Sequence, residues 1–173
     1  ATRPELEGYR IDATQAMGRM RDGAAVIFCG RLFLLLKDEA VLILDRIVLP
    51  QPGRVESRFH SYASVQLLSQ GGRLTGERQK IYFRYAGNVP AQVYQSIDAP
   101  TKPGPGSNLL RWCLDDLQTD VLLGTLFTSG LKPSQLSIVR ENSAFHIGVK
   151  WGNQKSVDLR VSSRLGRVEM LNA

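Results

Sequence analysis

The hydrophobic positions of this chain fall in short runs, some alternating with polar residues and some nearly continuous, separated at close intervals by turn residues. The two strongest runs are Ala24–Leu36, "AAVIFCGRLFLLL", and Ala40–Leu49, "AVLILDRIVL", with Lys37-Asp38-Glu39 as a polar turn between them. Period-two alternation and β-branched or aromatic runs bounded by Gly, Pro and Asn predict strands. Further strands are predicted over Val55–Leu68, Ile81–Ala86, Ala91–Ser96, Leu109–Leu114, Val121–Thr128, Leu136–Arg140, Ala144–Trp151, Ser156–Val161 and Arg167–Leu171. Helical periodicity is nearly absent; one short helix, capped by Asp12, is predicted over Asp12–Arg21. The pattern is that of an all-β chain, an antiparallel multi-stranded β-sandwich, and the length of 173 residues suits a single domain over 1–173.

The turns carry their own signals. Gln51-Pro52-Gly53 reads as a Pro-Gly turn, and Gln70-Gly71-Gly72 and Gly152-Asn153-Gln154 read as tight hairpins. The segment 99–108, "APTKPGPGSN", has three prolines and two glycines and predicts an exposed loop. Along Ala144–Lys150, Phe145, Ile147 and Val149 alternate with His146, Gly148 and Lys150, so one face of that strand is covered. Val41–Leu49 is almost continuously apolar, as in a central strand, but Asp45-Arg46 interrupts it. A buried acid and base need partners, an edge or a site.

Composition narrows the chemistry. The formal charge is +6 and the sequence pI about 9.6. Arginine carries most of the positive charge, which favours forked contacts to carboxylate, sulfate or phosphate. Solubility alone also accounts for such a charge. No helix-turn-helix, zinc-finger spacing or RNA-binding aromatic pattern accompanies it, so no nucleic acid partner is expected. The apolar runs are broken by Gly30, Arg31, Asp45 and Arg46, and no membrane span is expected. No leader with a charged and then an apolar region is visible from Ala1 onward. Cys29 and Cys113 sit in apolar surroundings and read as buried free thiols. With only His60 and His146 as histidines, no metal site is expected, and no cofactor motif occurs.

"AVLILDRIV" at Ala40–Val48, the Pro-Gly turn and the His-bearing "RFHSYASVQLL" together resemble the β-sandwich portion of heparinase II/III-like polysaccharide lyases. "DVLLGTLFTSGL" and "FHIGVKWG" resemble later strands of that family. The resemblance implies a supersandwich-like fold, an acidic polysaccharide as partner, and a bacterial protein that is periplasmic or secreted. It also implies a helical partner domain or chain, of which this sequence shows no sign, so either the chain is a C-terminal portion cut or processed from a larger one or the sandwich is put to non-catalytic use.

Elimination from a uronic acid needs a base for the proton beside the carboxylate and a group that stabilises the resulting charge. Arg58, His60 and Tyr62 alternate within one predicted strand and are the best local constellation. His60 and Tyr62 are the catalytic candidates, His60 neutralising the sugar carboxylate and Tyr62 serving as acid-base group. Arg58 would hold a carboxylate or sulfate, and His146, Lys150 and Trp151 are further substrate-binding candidates. Trp151, before a Gly-Asn turn, is expected to be exposed and Trp112 to be in the core; Tyr82, Tyr85 and Tyr94 are other candidates for stacking on sugar rings. Arg73, Arg78, Lys80 and Arg84, and separately Arg160, Arg164 and Arg167, would form anion-binding strips if they converge. An ordinary solvated strand face explains the same residues, and a non-catalytic carbohydrate-binding or protein-interaction module remains the alternative function.

Overall fold

The computed structural model describes residues 6–17, 23, 25–37, 39–98, 106–152 and 155–172. Residues 99–105 of the predicted loop 99–108, residues 18–21 of the predicted helix and the turn residues at 38 and 153–154 lie outside them. Among the described residues fourteen strands and one helical turn follow the chain in the order β1 (Leu6–Asp12), α1 (Thr14–Met17), β2 (Phe28–Leu36), β3 (Ala40–Gly53), β4 (Glu56–Ser61), β5 (Ser64–Leu68), β6 (Gly71–Thr75), β7 (Lys80–Gly87), β8 (Ala91–Asp98), β9 (Ser107–Leu114), β10 (Gln118–Ser129), β11 (Pro133–Glu141), β12 (Ala144–Trp151), β13 (Lys155–Ser162) and β14 (Val168–Asn172). All pairings are antiparallel. The predicted all-β sandwich is the observed architecture.

The strands form a seven-stranded sheet in the order β1-β2-β3-β10-β7-β6-β5, a four-stranded sheet β11-β12-β13-β14 and a three-stranded sheet β4-β9-β8. The seven-stranded sheet is the middle layer. Alternation decides which residue meets which neighbour. Leu122 and Leu126 of β10, with Leu32, Leu34, Leu42 and Leu44, pack against Phe145, Ile147, Val149 and Trp151 of β12. Val121 and Leu123 face the other way, toward Leu110 and Trp112 of β9. Because β10 is covered on both faces, Val121–Leu126 is buried without a break, which explains its continuous apolar sequence. Gly124 lets the four-stranded sheet come close: a Cβ there would stand 2.7 Å from Ile138 Cδ1.

Asp45 and Arg46 are both buried and, as neighbours on a strand, face opposite layers. Arg46 Nη1 lies 2.6 Å from Asp120 Oδ1 and donates to the carbonyls of Ile47 (2.9 Å) and Val121 (3.1 Å), while its Nε donates to the carbonyl of Ser163 at 3.1 Å. The guanidinium also lies over the Phe145 ring. Burial pulls its pKa below the ordinary value, opposed by the Asp120 carboxylate.

Several sequence expectations are corrected. Val55–Leu68 is not one strand: β4 belongs to the three-stranded sheet and β5 to the seven-stranded one, and the break falls at Tyr62-Ala63. Ser61 Oγ accepts the Ala63 amide at 3.1 Å and Asn108 Nδ2 donates to the Ala63 carbonyl at 2.9 Å, fixing the bend. Gly71 and Gly72 are not a turn but the start of β6, and the turn is Ser69-Gln70. Gln51-Pro52-Gly53 closes β3, and Ser107 and Asn108 open β9.

Candidate functional site

Pairing of β4, β9 and β8 places residues in rows on the outward face of the three-stranded sheet. Arg58 stands opposite Arg111, and Arg111 opposite Tyr94. The adjoining rows are Glu56, Cys113 and Gln92 on one side and His60, Leu109 and Ser96 on the other. Arg58 is exposed and its Nε donates to Glu56 Oε1 at 2.5 Å. Arg111 is half-buried, and its Nε makes no hydrogen bond. The Tyr94 hydroxyl donates to Gln92 Oε1 at 3.0 Å, leaving the ring 45% exposed. His60 Nδ1 lies 3.2 Å from Ser107 Oγ. Like charges directly opposite across two strands repel, and Glu56 is engaged with only one of the two guanidinium groups. The row is therefore suited to an anion with an adjoining ring face.

The six sequence-selected residues are distributed over the molecule rather than gathered. Arg58 and His60 share the outward face of β4. Tyr62 lies beyond the end of that strand, in the bend, and is 80% exposed. His146 and Lys150 lie on the outward face of β12, in the four-stranded sheet on the opposite side of the middle layer. His146 Nε2 stands 3.1 Å from Glu141 Oε2. Trp151, expected to be exposed, is 0% exposed: the alternation of Phe145, Ile147 and Val149 continues to it and turns it inward, where its Nε1 donates to Glu39 Oε2 at 3.3 Å. Trp112 is in the core as expected, against Phe59, Phe83 and Tyr85. Arg111 was not singled out by sequence; only the register brings it to Arg58.

A cleft of about 820 Å³ opens beside β4, between it and β2–β3. At its base Arg31 forks onto Asp45, Nε to Oδ1 at 2.5 Å and Nη2 to Oδ2 at 2.8 Å, and the Ser57 hydroxyl donates to Asp45 Oδ2 at 2.5 Å. This clamp ties the middle sheet to β4. The hydrogen bonds to Asp45 hold the Arg31 guanidinium above its ordinary pKa. Ile11, Val26, Ile47 and Leu49 form apolar walls. Beyond the cleft the same face of β1–β2–β3 continues as the row Tyr9, Phe33 and Ile43, with Tyr9 69% and Val41 36% exposed.

Cys29 and Cys113 are free and half-buried. Burial pushes the Cys29 thiol up, with the Asp45 carboxylate adding to the shift, and burial followed by Glu56 does the same at Cys113. Both thiols therefore carry less thiolate at neutral pH than an ordinary cysteine, whose pKa is about 8.5. Iodoacetamide labelling of the folded chain is expected to be slower than that of the denatured chain at pH about 8 and to rise only at more alkaline pH; equal folded and denatured rates at that pH would contradict it. Among the described residues no three His, Cys, Asp or Glu side chains gather as a metal site, and no helix is long and apolar enough to cross a membrane.

No protein-family profile and no curated protein sequence matches this chain. Solved structures do match. A heparinase III gene product superposes with a TM-score of 0.61 and 14% identity, over 78% of this chain and 24% of its own. A second heparinase III structure gives a TM-score of 0.60 and 10% identity, over 91% of this chain and 26% of that one. The heparan sulfate lyase HepC from Pedobacter heparinus gives 0.55 and 11%, over 95% and 27%. The fold is heparinase-like. At these identities the likeness is one of fold, and the chain spans about a quarter of the length of the structures it matches.

Proposed function

We propose that this chain is the β-domain of a heparinase II/III-like protein and binds acidic polysaccharide through the outward face of β4–β9–β8. The supporting observation is the row Arg58, Arg111, Tyr94, two opposed guanidinium groups beside an exposed ring. The guanidinium groups would hold sulfate or carboxylate by forked hydrogen bonds, and Tyr94 would lie against a pyranose. His60, one row along, would neutralise a uronate carboxylate. The heparinase-like fold is the second support, since the solved relatives are named for heparin and heparan sulfate.

In the same reading the domain contributes to β-elimination when joined to a helical partner. The proton beside the uronate carboxylate is removed, the bond to the β leaving oxygen breaks, and a carbon–carbon double bond forms. Tyr62 would exchange the proton and His60 would hold the carboxylate. Tyr62 stands on an open surface, so the water-excluding wall must come from elsewhere. The apolar row of exposed Tyr9 with half-buried Phe33 and Ile43 is a face on which a partner domain would pack. Such a ligand would suit a periplasmic or secreted location.

The test is retention of the chain on immobilised heparin, with unsaturated-uronate absorbance followed in a parallel incubation with free heparin. Retention at about 0.1 M salt and release toward about 1 M is expected, because the screening length falls from about 10 Å to about 3 Å. Arg58→Ala with Arg111→Ala is expected to lower the salt concentration at which the chain is released, and His60→Ala to lower it less. No rise in absorbance is expected from the chain alone. Unchanged retention of a folded Arg58→Ala/Arg111→Ala variant would exclude this face.

A further inference from the structure

The basic run beginning at Arg73 does converge. Ser64, Thr75 and Lys80 form one row across β5, β6 and β7; Gln66, Arg73 and Tyr82 form the next; Leu68, Gly71 and Arg84 form the third. Arg84 is also register partner of Leu126 in β10, so this face lies on the side of the middle sheet that carries the four-stranded sheet, away from Arg58 and Arg111. Lys132, after β10, lines a small hollow with Arg84 and Gln70. Arg78 stays in the exposed turn between β6 and β7.

Three features separate this strip from a solvated edge. Among the described residues, Arg73, Lys80, Arg84 and Lys132 form no ion pair, as Arg111 forms none, whereas Arg31, Arg46, Arg58, Arg140 and Arg167 do. The two arginines are held instead by neutral amides: Arg73 Nη2 donates to Gln66 Oε1 at 2.7 Å and Arg84 Nη2 to Gln70 Oε1 at 2.5 Å. Positive charge is thereby oriented without being neutralised. Finally, the Nε atoms of Arg73 and Arg84 are both buried and make no hydrogen bond. Desolvated donors without acceptors are costly, and an oxyanion arriving along the guanidinium edge supplies the acceptor.

We propose that this strip is a second binding site for acidic glycan, taking sulfate or carboxylate oxygens on Arg73 and Arg84, with Lys80 and Lys132 as flanking charges and half-buried Tyr82 against a sugar ring. The choice of a glycan rests on the function proposed above. The site does not: it lies on the opposite side of the middle sheet from the Arg58–Arg111 row. A long polymer reaching both would be held at two points, with the gain in avidity that linkage provides.

The experiment measures affinity of the full chain for a heparin oligosaccharide and for hyaluronan, which carries carboxylate but no sulfate, at fixed salt. Arg73→Gln with Arg84→Gln is expected to weaken heparin binding about tenfold or more, the scale of losing charged hydrogen bonds, with Tm unchanged. Arg73→Lys with Arg84→Lys, which keeps charge but not the fork, is expected to recover part of it. If the double Gln variant loses stability, Lys80→Gln with Lys132→Gln, on the exposed flanks, is expected to weaken binding and flatten its salt dependence. Unchanged affinity in these variants overturns the second site. Loss in them with no loss in Arg58→Ala/Arg111→Ala supports the strip and overturns the β4–β9–β8 reading; the reverse result does the opposite. A preference for heparin over hyaluronan that Arg73→Gln with Arg84→Gln removes assigns the strip to sulfate and an equal loss on both assigns it to carboxylate, while an equal loss of affinity for a single-stranded nucleic acid overturns the glycan assignment.

Discussion

Arg46→Ala is expected to cost about 3–5 kcal/mol, from buried carbonyls left without a donor and the void that truncation opens. The side chain is 3% exposed and stands between Asp120 and three backbone carbonyls. Truncation leaves the carbonyls of Ile47, Val121 and Ser163 without this donor and opens a void beside Phe145. Asp120 is not abandoned, because Arg140 Nη1 stands 2.7 Å from its other oxygen. Arg46→Met, which keeps much of the volume, should therefore lose clearly less than Arg46→Ala. Urea denaturation of the two variants checks this, and a loss below about 1 kcal/mol for Arg46→Ala would contradict the packing described.

Asp45→Ala is the second large effect, expected at about 2–3 kcal/mol. It removes the carboxylate that receives both Arg31 nitrogens and the Ser57 hydroxyl. The cost falls below that at Arg46 because the Arg31 side chain is 32% exposed and can turn to water. Since the clamp joins β3 to β4, its loss should also loosen β4, and with it the position of Arg58. Faster amide exchange in β4 than in β12 of the variant is the expected signature. Equal exchange in both would show that the aromatic packing of Phe59 on Trp112 holds β4 without the clamp.

These two neighbours illustrate what sequence could and could not say. That Asp45-Arg46 must be satisfied was legible from an acid and base within an apolar strand; that each is satisfied in a different layer required the third sheet to be seen. Alternation along Ala144–Lys150 was read correctly, and carrying it one residue further would have placed Trp151 inside. β1 was missed because "LEGYRID" is short, charged and largely exposed. β6 was missed because Gly71-Gly72 looks like a turn, whereas a Cβ at Gly71 would stand 2.1 Å from the Phe83 carbonyl oxygen, so the close strand approach demands glycine. Of the candidate site, Arg58 and His60 were legible from period two. Arg111 was not, and the run Arg73, Arg78, Lys80 and Arg84 was legible as a basic run but its convergence was not, since long-range register, unlike local periodicity, leaves no trace in spacing along the chain.

The most direct test of glycan recognition by β4–β9–β8 is to follow the backbone amide resonances of the chain during titration with a heparin oligosaccharide. Saturable shifts at Arg58, His60, Tyr94 and Arg111, alongside any at the Arg73–Arg84 strip, are the predicted result. Saturable binding that leaves all four unmoved would contradict it.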